Sequence, residues 1–229
     1  MATEETNKPR GAAQELPADE PLIKNEAKAR KMIMYATIIV SVIVLGVIVY
    51  IYGIRNPDIK NGDQAIGQAD MTLIFQGNDS IALDQYSAVA SKYGNHAGNR
   101  ARLNAAILLY KKGEYQQALN YLNDYNATDA IIGAAAASLK GDCYVNLDNL
   151  GDAVKSFKSA ISISDKNPAY TPFFMMKLAT VYSAQGNYKD AADIYRQIDK
   201  NYPLYGPQSN IDIEKYLDYA EAMAAKGAK

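Results

Sequence analysis

The chain has 229 residues with a formal net charge of −1, and 48% of its residues are apolar. This near-neutral charge gives no indication of a nucleic-acid partner, and we predict none. The single cysteine, Cys143, and the single histidine, His96, exclude an internal disulfide and a metal site of the cysteine/histidine type.

The N-terminal region combines prolines with charges of both signs. Pro9, Pro17 and Pro21 lie among acidic and basic side chains, and large apolar residues are few. A segment of this composition cannot bury enough apolar surface to fold by itself. We therefore predict a disordered cytoplasmic tail over residues 1–31.

An uncharged apolar stretch of about 22 residues follows, from Ile33 to Ile54. A helix needs roughly 20 apolar residues to cross the hydrocarbon core of a bilayer. Tyrosines lie near both ends of the stretch, which is typical of an interfacial aromatic belt. No small-x-small cleavage motif follows it, so we interpret it as an uncleaved anchor. We predict a transmembrane helix over residues 32–54 that contacts lipid through residues 33–54.

Basic residues are concentrated before the apolar stretch, which predicts the orientation of the chain. The basic residues on the two sides are Lys24, Lys28, Arg30 and Lys31 before it, and Arg55 and Lys60 after it. Such an excess predicts a cytoplasmic N-terminus. We thus expect a single-pass protein whose C-terminal domain lies on the outer side of the cytoplasmic membrane. A short linker, residues 55–62, would keep that domain near the bilayer.

Three later segments share a spacing of small and large residues. The small residues are Ala118, Ala153 and Ala191, which lie 35 and 38 positions apart. Each is followed four positions later by a large apolar residue, namely Leu122, Phe157 and Tyr195. This pattern resembles the tetratricopeptide repeat (TPR), which has a period of about 34 residues. The segment from Pro172 to Pro203 matches the repeat best.

The resemblance predicts an all-α TPR solenoid over residues 63–229, preceded by one transmembrane helix. We expect three clear units, one degenerate unit that precedes them, and a capping helix from Ile211 to Ala225. The degenerate unit is indicated by Gly77, Ala82 and Tyr86. Each unit should form two antiparallel helices, and units must stack because one pair cannot bury its apolar face. Gly113 and Gly186 should occupy turns that need a positive φ angle.

The residues that could carry chemistry have simpler interpretations. No nucleophile motif surrounds His96, and Cys143 lies where a first repeat helix needs a small core residue. An intermolecular disulfide through Cys143 is the alternative. The glycine-containing segments lack the phosphate-binding and dinucleotide-binding patterns. We predict that the protein is not an enzyme and has no catalytic, cofactor-binding or metal-binding residues.

In tetratricopeptide domains the first helix of each unit lines a concave groove, so the resemblance implies a partner-binding groove here. The predicted lining residues are Leu103, Ile107, Tyr110, Ser138, Asp142, Val145, Phe173, Met176 and Thr180. The degenerate unit could add Met71 and Ile74. The groove lacks the Lys and Asn pattern with which some family members hold chaperone C-termini. We expect Phe173 and Met176 to face the groove, while Phe174 and Met175 pack between helices.

The layout of tail, anchor and outer repeat domain resembles the membrane-anchored tetratricopeptide proteins of Bacteroidota. The segments GDCYVNL and TPFFMMKLATVYSAQGNYKDA carry this resemblance. The layout is also similar to that of the YfgM-type accessory of the Sec translocon. This resemblance implies a single-pass protein of the bacterial inner membrane with its C-terminal domain in the periplasm. Its role would be that of a membrane-tethered interaction scaffold, an accessory or chaperone-like factor of Sec-dependent protein export. Its partners would be the translocon, or periplasmic chaperones and their clients. The alternative is a subunit of another envelope complex, in outer-membrane assembly, gliding, secretion or cell division.

Overall fold

The computed structural model describes residues 20–227, with side chains from residue 26 onward. Within these residues the chain forms helices and turns and contains no β-strand, which confirms the predicted all-α fold. The chain divides into two compact units, Met1–Asn56 and Pro57–Lys229. Residues 1–19 of the predicted tail lie outside the described residues.

Helix α1, Glu20–Val49, is the main element of the first unit and contains most of the predicted anchor. It begins at Glu20, whereas the anchor was expected to begin at residue 32. Residues 20–31 are rich in Glu, Lys, Ala and Arg, which favour helix, and Pro21 lies in the first turn, where no N–H is needed. The helical stretch Glu26–Gln76 contains a window long and apolar enough to cross a membrane, judged by length and composition.

The predicted linker over residues 55–62 forms helix instead. A π-helical segment, Tyr50–Arg55, follows α1, and helix α2 begins directly after it. Pro57 has no N–H to donate to the carbonyl four residues earlier, which lies in the π-helical segment. The regular α-helical hydrogen-bond pattern is therefore interrupted in this segment. Asp58 lies in the first turn of α2, where a negative charge is favourable.

Four helical pairs make up most of the second unit within its described residues. They are α2 (Asn56–Gln76) with α3 (Asp79–Lys92), α4 (His96–Lys111) with α5 (Tyr115–Asn123), α6 (Ala130–Asn146) with α7 (Leu150–Ile163), and α8 (Thr171–Ala184) with α9 (Tyr188–Asn201). A short helix that was not predicted, α10 (Tyr205–Ser209), leads to α11 (Ile213–Gly227), which lies where the capping helix was expected. The first pair is the predicted degenerate unit.

Small and large residues alternate in the core as the repeat pattern predicts. The equivalent alanines are Ala82, Ala118, Ala153 and Ala191, and each is 0% exposed. The equivalent large residues are Tyr86, Leu122, Phe157 and Tyr195, and none is more than 3% exposed. The alanines allow close packing, and each buried large side chain contributes about 1.5–3 kcal/mol of burial free energy.

The turn inside each helical pair contains one residue with a left-handed backbone. Three of these residues are glycines: Gly77 (φ 61°), Gly113 (φ 84°) and Gly186 (φ 76°). In the third pair the position is Asp148, with φ 57°. Glycine adopts this conformation without steric penalty, and Asp tolerates it better than most residues. The prediction for Gly113 and Gly186 is confirmed.

Candidate partner-binding site

A cavity of about 260 Å³ lies between helices α6 and α8, and we call it the α6/α8 pocket. Helix α6 contributes Asp142 and Val145, and α8 contributes Phe173, Met176 and Thr180. The structure therefore brings together residues from two predicted units, and these five belong to the predicted groove. Most of the lining is apolar, so the pocket suits an apolar side chain.

The spacing of residues along α8 decides which side chains reach the pocket. Phe174 and Met175 are 3% and 6% exposed, as expected for residues packed between helices. Phe173 is 43% exposed, and Met176 is half-buried. The start of the helix is fixed by a buried hydrogen bond of 2.7 Å between the hydroxyls of Ser164 and Thr171. Phe173 lies two residues after Thr171, so this contact fixes the helix backbone next to Phe173.

An ion pair contributes the charged part of the pocket. The ammonium of Lys177 lies 2.5 Å from a carboxylate oxygen of Asp142. The same ammonium lies 4.9 Å from the ring centroid of Phe173 and 5.8 Å from that of Phe157, which permits cation–π attraction. Burial raises the pKa of Asp142, while Lys177 acts in the opposite direction. Because the two charges compensate, the pocket favours neutral, apolar groups.

The predicted groove residues on α4 do not line this pocket. Ile107 is exposed, while Leu103 and Tyr110 are partly buried against the core formed by α4, α5 and α6. Met71 and Ile74 on α2 are also exposed, at 55% and 70%.

The prediction for Ser138 is wrong, because its side chain is buried at 2% exposure. Helix α6 contacts α4, α5 and α7, so more of its surface is covered than the helical spacing alone indicated. Ser138 is therefore not accessible to a partner.

Five lining residues were absent from the predicted groove: Phe157, Lys177, Val181, Tyr205 and Ile211. Tyr205 and Ile211 follow the last repeat and close one side of the pocket. Tyr205 is only 7% exposed. The apolar residues after Pro203 were a signal that this segment packs back on the repeats.

The single histidine and the single cysteine lie outside the pocket. His96 begins α4, is exposed, and its Nε2 lies 2.6 Å from a carboxylate oxygen of Asp63. Cys143 is 0% exposed, and burial raises the pKa of its thiol to about 11. The described part of the chain contains no group of three or more His, Cys, Asp or Glu residues placed to hold a metal ion.

Comparison with protein families finds tetratricopeptide repeats in the region of these helices. Residues 75–183 match the tetratricopeptide repeat-like domain, and residues 174–205 match the tetratricopeptide repeat. The chain thus contains TPR-like domains, and stacked repeats of this kind form extended binding surfaces. These matches support a protein–protein interaction scaffold.

Solved structures of MamA have a similar fold. MamA 41-end from Desulfovibrio magneticus RS-1 aligns with a TM-score of 0.51 and 18% identity, over 61% of this chain and 75% of that one. Another crystal structure of MamA aligns with a TM-score of 0.54 and 18% identity, over 73% of this chain and 93% of that one. At this identity the likeness concerns the fold alone. A search of curated proteins finds no match.

Proposed function

We propose that this protein is a membrane-tethered scaffold of the bacterial cell envelope that binds a protein partner through the α6/α8 pocket. The pocket itself carries the proposal: it combines an exposed aromatic ring, Phe173, and a half-buried thioether, Met176, beside a compensated ion pair. Aromatic residues and methionine are enriched where proteins bind one another. The proposed role includes no catalytic step.

One inserted side chain is not enough to hold a partner. Burial of one large apolar side chain contributes about 1.5–3 kcal/mol, whereas micromolar affinity needs about 8 kcal/mol. We therefore expect the partner to extend beyond the pocket and to contact Leu103, Ile107 and Tyr110 on α4. These residues and the pocket lie on the first helices of consecutive pairs.

The tether is proposed to be residues 33–54, which include the apolar end of α1 and most of the π-helical segment that follows it. All described side chains of α1, from residue 26 onward, are exposed, so within the described part of the chain its apolar residues are not covered by protein. The hydroxyls of Thr37 and Ser41 each donate a hydrogen bond of 2.8 Å to a carbonyl one turn earlier, which satisfies them without water. The basic residues before the stretch favour a cytoplasmic N-terminus.

Membrane extraction and protease protection test this tether. The full chain should resist extraction by alkaline carbonate, and the region after residue 57 should be cleaved when only the periplasmic side is accessible. Release by carbonate would contradict the tether, and cleavage only from the cytoplasmic side would contradict the orientation.

The specific process is proposed to be Sec-dependent protein export, with the translocon or periplasmic chaperones and clients as partners. A subunit of another envelope complex is the alternative. Crosslinking and affinity purification of the full chain from native membranes separate the two. Enrichment of translocon subunits supports export, and enrichment of a different complex supports the alternative.

Variants test whether the pocket makes the contact. Phe173→Ala with Met176→Ala should reduce partner recovery by at least about tenfold, since two apolar anchors are lost. Ile81→Ala is the matched control, because Ile81 on α3 is 46% exposed, close to the 43% of Phe173. Undiminished recovery with the double variant would contradict the proposal.

A further inference from the structure

A second cavity, of about 280 Å³, lies among α5, α6 and α7, and we call it the α5/α7 cavity. It shares no lining residue with the α6/α8 pocket. Leu122, Ala136 and Ile163 form part of an apolar floor. The polar residues around it are basic or neutral, and include Lys140, Lys155 and Ser159.

Lys140 is the unusual residue of this cavity. It is half-buried, and burial lowers its pKa. Within the described chain it forms no salt bridge, and no neighbouring charge contributes to the shift of its pKa. Lys155 differs, because its ammonium lies 2.8 Å from a carboxylate oxygen of Asp152 and its side chain is 80% exposed. The cavity thus contains one cation whose charge is not compensated locally.

We infer that the α5/α7 cavity binds a partner segment in which an acidic side chain lies next to an apolar one. The carboxylate pairs with the Lys140 ammonium, and the apolar side chain packs on the floor near Leu122 and Ile163. The inference rests on the proposed function as a protein-interaction scaffold, and it assigns a second contact site to that scaffold.

Charge and size both select this ligand. Partial burial of an ammonium without a counter-ion costs free energy, because the charge loses part of its hydration. A charge-assisted hydrogen bond to a carboxylate offsets this cost. A basic segment would be repelled by Lys140. A cavity near 280 Å³ is at the lower limit of small-molecule sites, so it suits one or two side chains of a longer segment.

A purely structural role for Lys140 makes a different prediction. The aliphatic stem of a lysine can cover apolar surface while its ammonium stays in water. Methionine reproduces that stem without the charge. Lys140→Met therefore keeps the packing and removes only the interaction that the inference requires.

Fluorescence anisotropy with the full chain in detergent tests the inference. The probes are two labelled peptides with blocked ends, one containing Leu-Glu-Leu and the other Leu-Gln-Leu. The wild type should bind the Glu peptide at least about tenfold more tightly than the Gln peptide, because a charge-assisted hydrogen bond is lost with Gln. Lys140→Met should abolish this preference. Lys189→Met, which changes an exposed lysine on α9, should preserve it.

Three results would overturn the inference: equal binding of the two peptides by the wild type, a preference for Glu that persists in Lys140→Met, or no binding of either peptide at millimolar concentration. Failure here is distinguishable from failure of the proposed function. The proposed function is tested by partner recovery with Phe173 and Met176 variants, and neither residue lines the α5/α7 cavity.

Discussion

The ammonium of Lys177 on α8 and the carboxylate of Asp142 on α6 lie 2.5 Å apart and connect two repeats across the α6/α8 pocket. Their side chains are 28% and 22% exposed, so water screens the pair only in part. Because Lys177 also lies over the Phe173 ring, the pair helps to position the aromatic residue that we expect a partner to contact.

Removal of the cation should destabilise the protein. In Lys177→Met, Asp142 keeps its half-buried position without a counter-ion, and we expect a loss of about 1–2 kcal/mol in the free energy of unfolding near pH 7. Urea unfolding followed by circular dichroism measures this loss. Lys189→Met is the control and should change stability by less than about 0.5 kcal/mol.

The pH dependence identifies the group responsible. Burial raises the pKa of Asp142, and loss of Lys177 should raise it further. A carboxyl whose folded-state pKa is above its unfolded value favours folding more as it takes up a proton, so its destabilising effect fades as pH falls. The difference in unfolding free energy between wild type and Lys177→Met should narrow as the pH falls from neutral through the raised pKa of Asp142. A constant or widening gap would show that Asp142 is not the cause.

A pair of glycine substitutions tests the packing of α6 on α7. A Cβ atom on Gly141 would lie 2.6 Å from Cε1 of Phe157, whose side chain is 1% exposed. Gly141→Ala should therefore destabilise the protein by about 1–3 kcal/mol. At Gly151 the nearest atom, Oδ1 of Asn149, would be 3.9 Å away, so Gly151→Ala should be neutral or stabilising by up to about 1 kcal/mol.

Thermal denaturation of both glycine variants provides the measurement. Equal melting temperatures for Gly141→Ala and Gly151→Ala would contradict this packing. Phe157→Leu in the Gly141→Ala background provides a further check, because a smaller side chain should relieve part of the clash.

The third helical pair, α6 with α7, should become more stable if the residue with a left-handed backbone in its turn is replaced by glycine. Asp148 has φ 57°, where the equivalent positions of the other described pairs carry glycine. Asp148→Gly should stabilise the protein by about 0.5–1 kcal/mol, since relief of the left-handed strain exceeds the added entropy of the unfolded chain. Asp124→Gly is the control: Asp124 has φ −87°, so only the entropic penalty remains. A lower melting temperature for Asp148→Gly would contradict the strain argument.

Cys143 should be chemically protected. The side chain is 0% exposed, and burial raises the pKa of its thiol to about 11. Thiolate is the reactive form, so alkylation by iodoacetamide near neutral pH should be slow in the folded protein and fast in guanidinium chloride. Rapid labelling of the folded protein would contradict this burial and would restore the intermolecular disulfide as an alternative.

The repeats could be predicted from the sequence because the repeat pattern specifies where small and large residues pack within a helical pair and against its neighbours. The alanines at 118, 153 and 191 and the glycines at 113 and 186 occupy the environments that their types suggested. Asp148 could not be recognised in the same way, since Asp is common in ordinary turns and helix caps as well. The helical start at Glu20 was missed because the charged and proline-containing composition was interpreted as disorder.

Only part of the site could be predicted. Helical spacing correctly predicted that Phe173 is exposed and Phe174 is buried. Residues three or four positions apart share one face of a helix, whereas adjacent residues point in different directions. The pairing of Asp142 with Lys177 and the position of Tyr205 depend on contacts between distant segments, which the repeat pattern does not specify. Ser138 was misassigned for the same reason, since its burial results from contacts of α6 with three other helices.

Photocrosslinking at position 173 tests the central claim most directly. A photoreactive phenylalanine analogue is placed at Phe173 in one full-length variant and at Ile81 in another, and both are irradiated in native membranes. We predict a discrete adduct with a partner protein from position 173 and none with that protein from position 81. No adduct from position 173, or the same adducts from both positions, would contradict a partner-binding α6/α8 pocket.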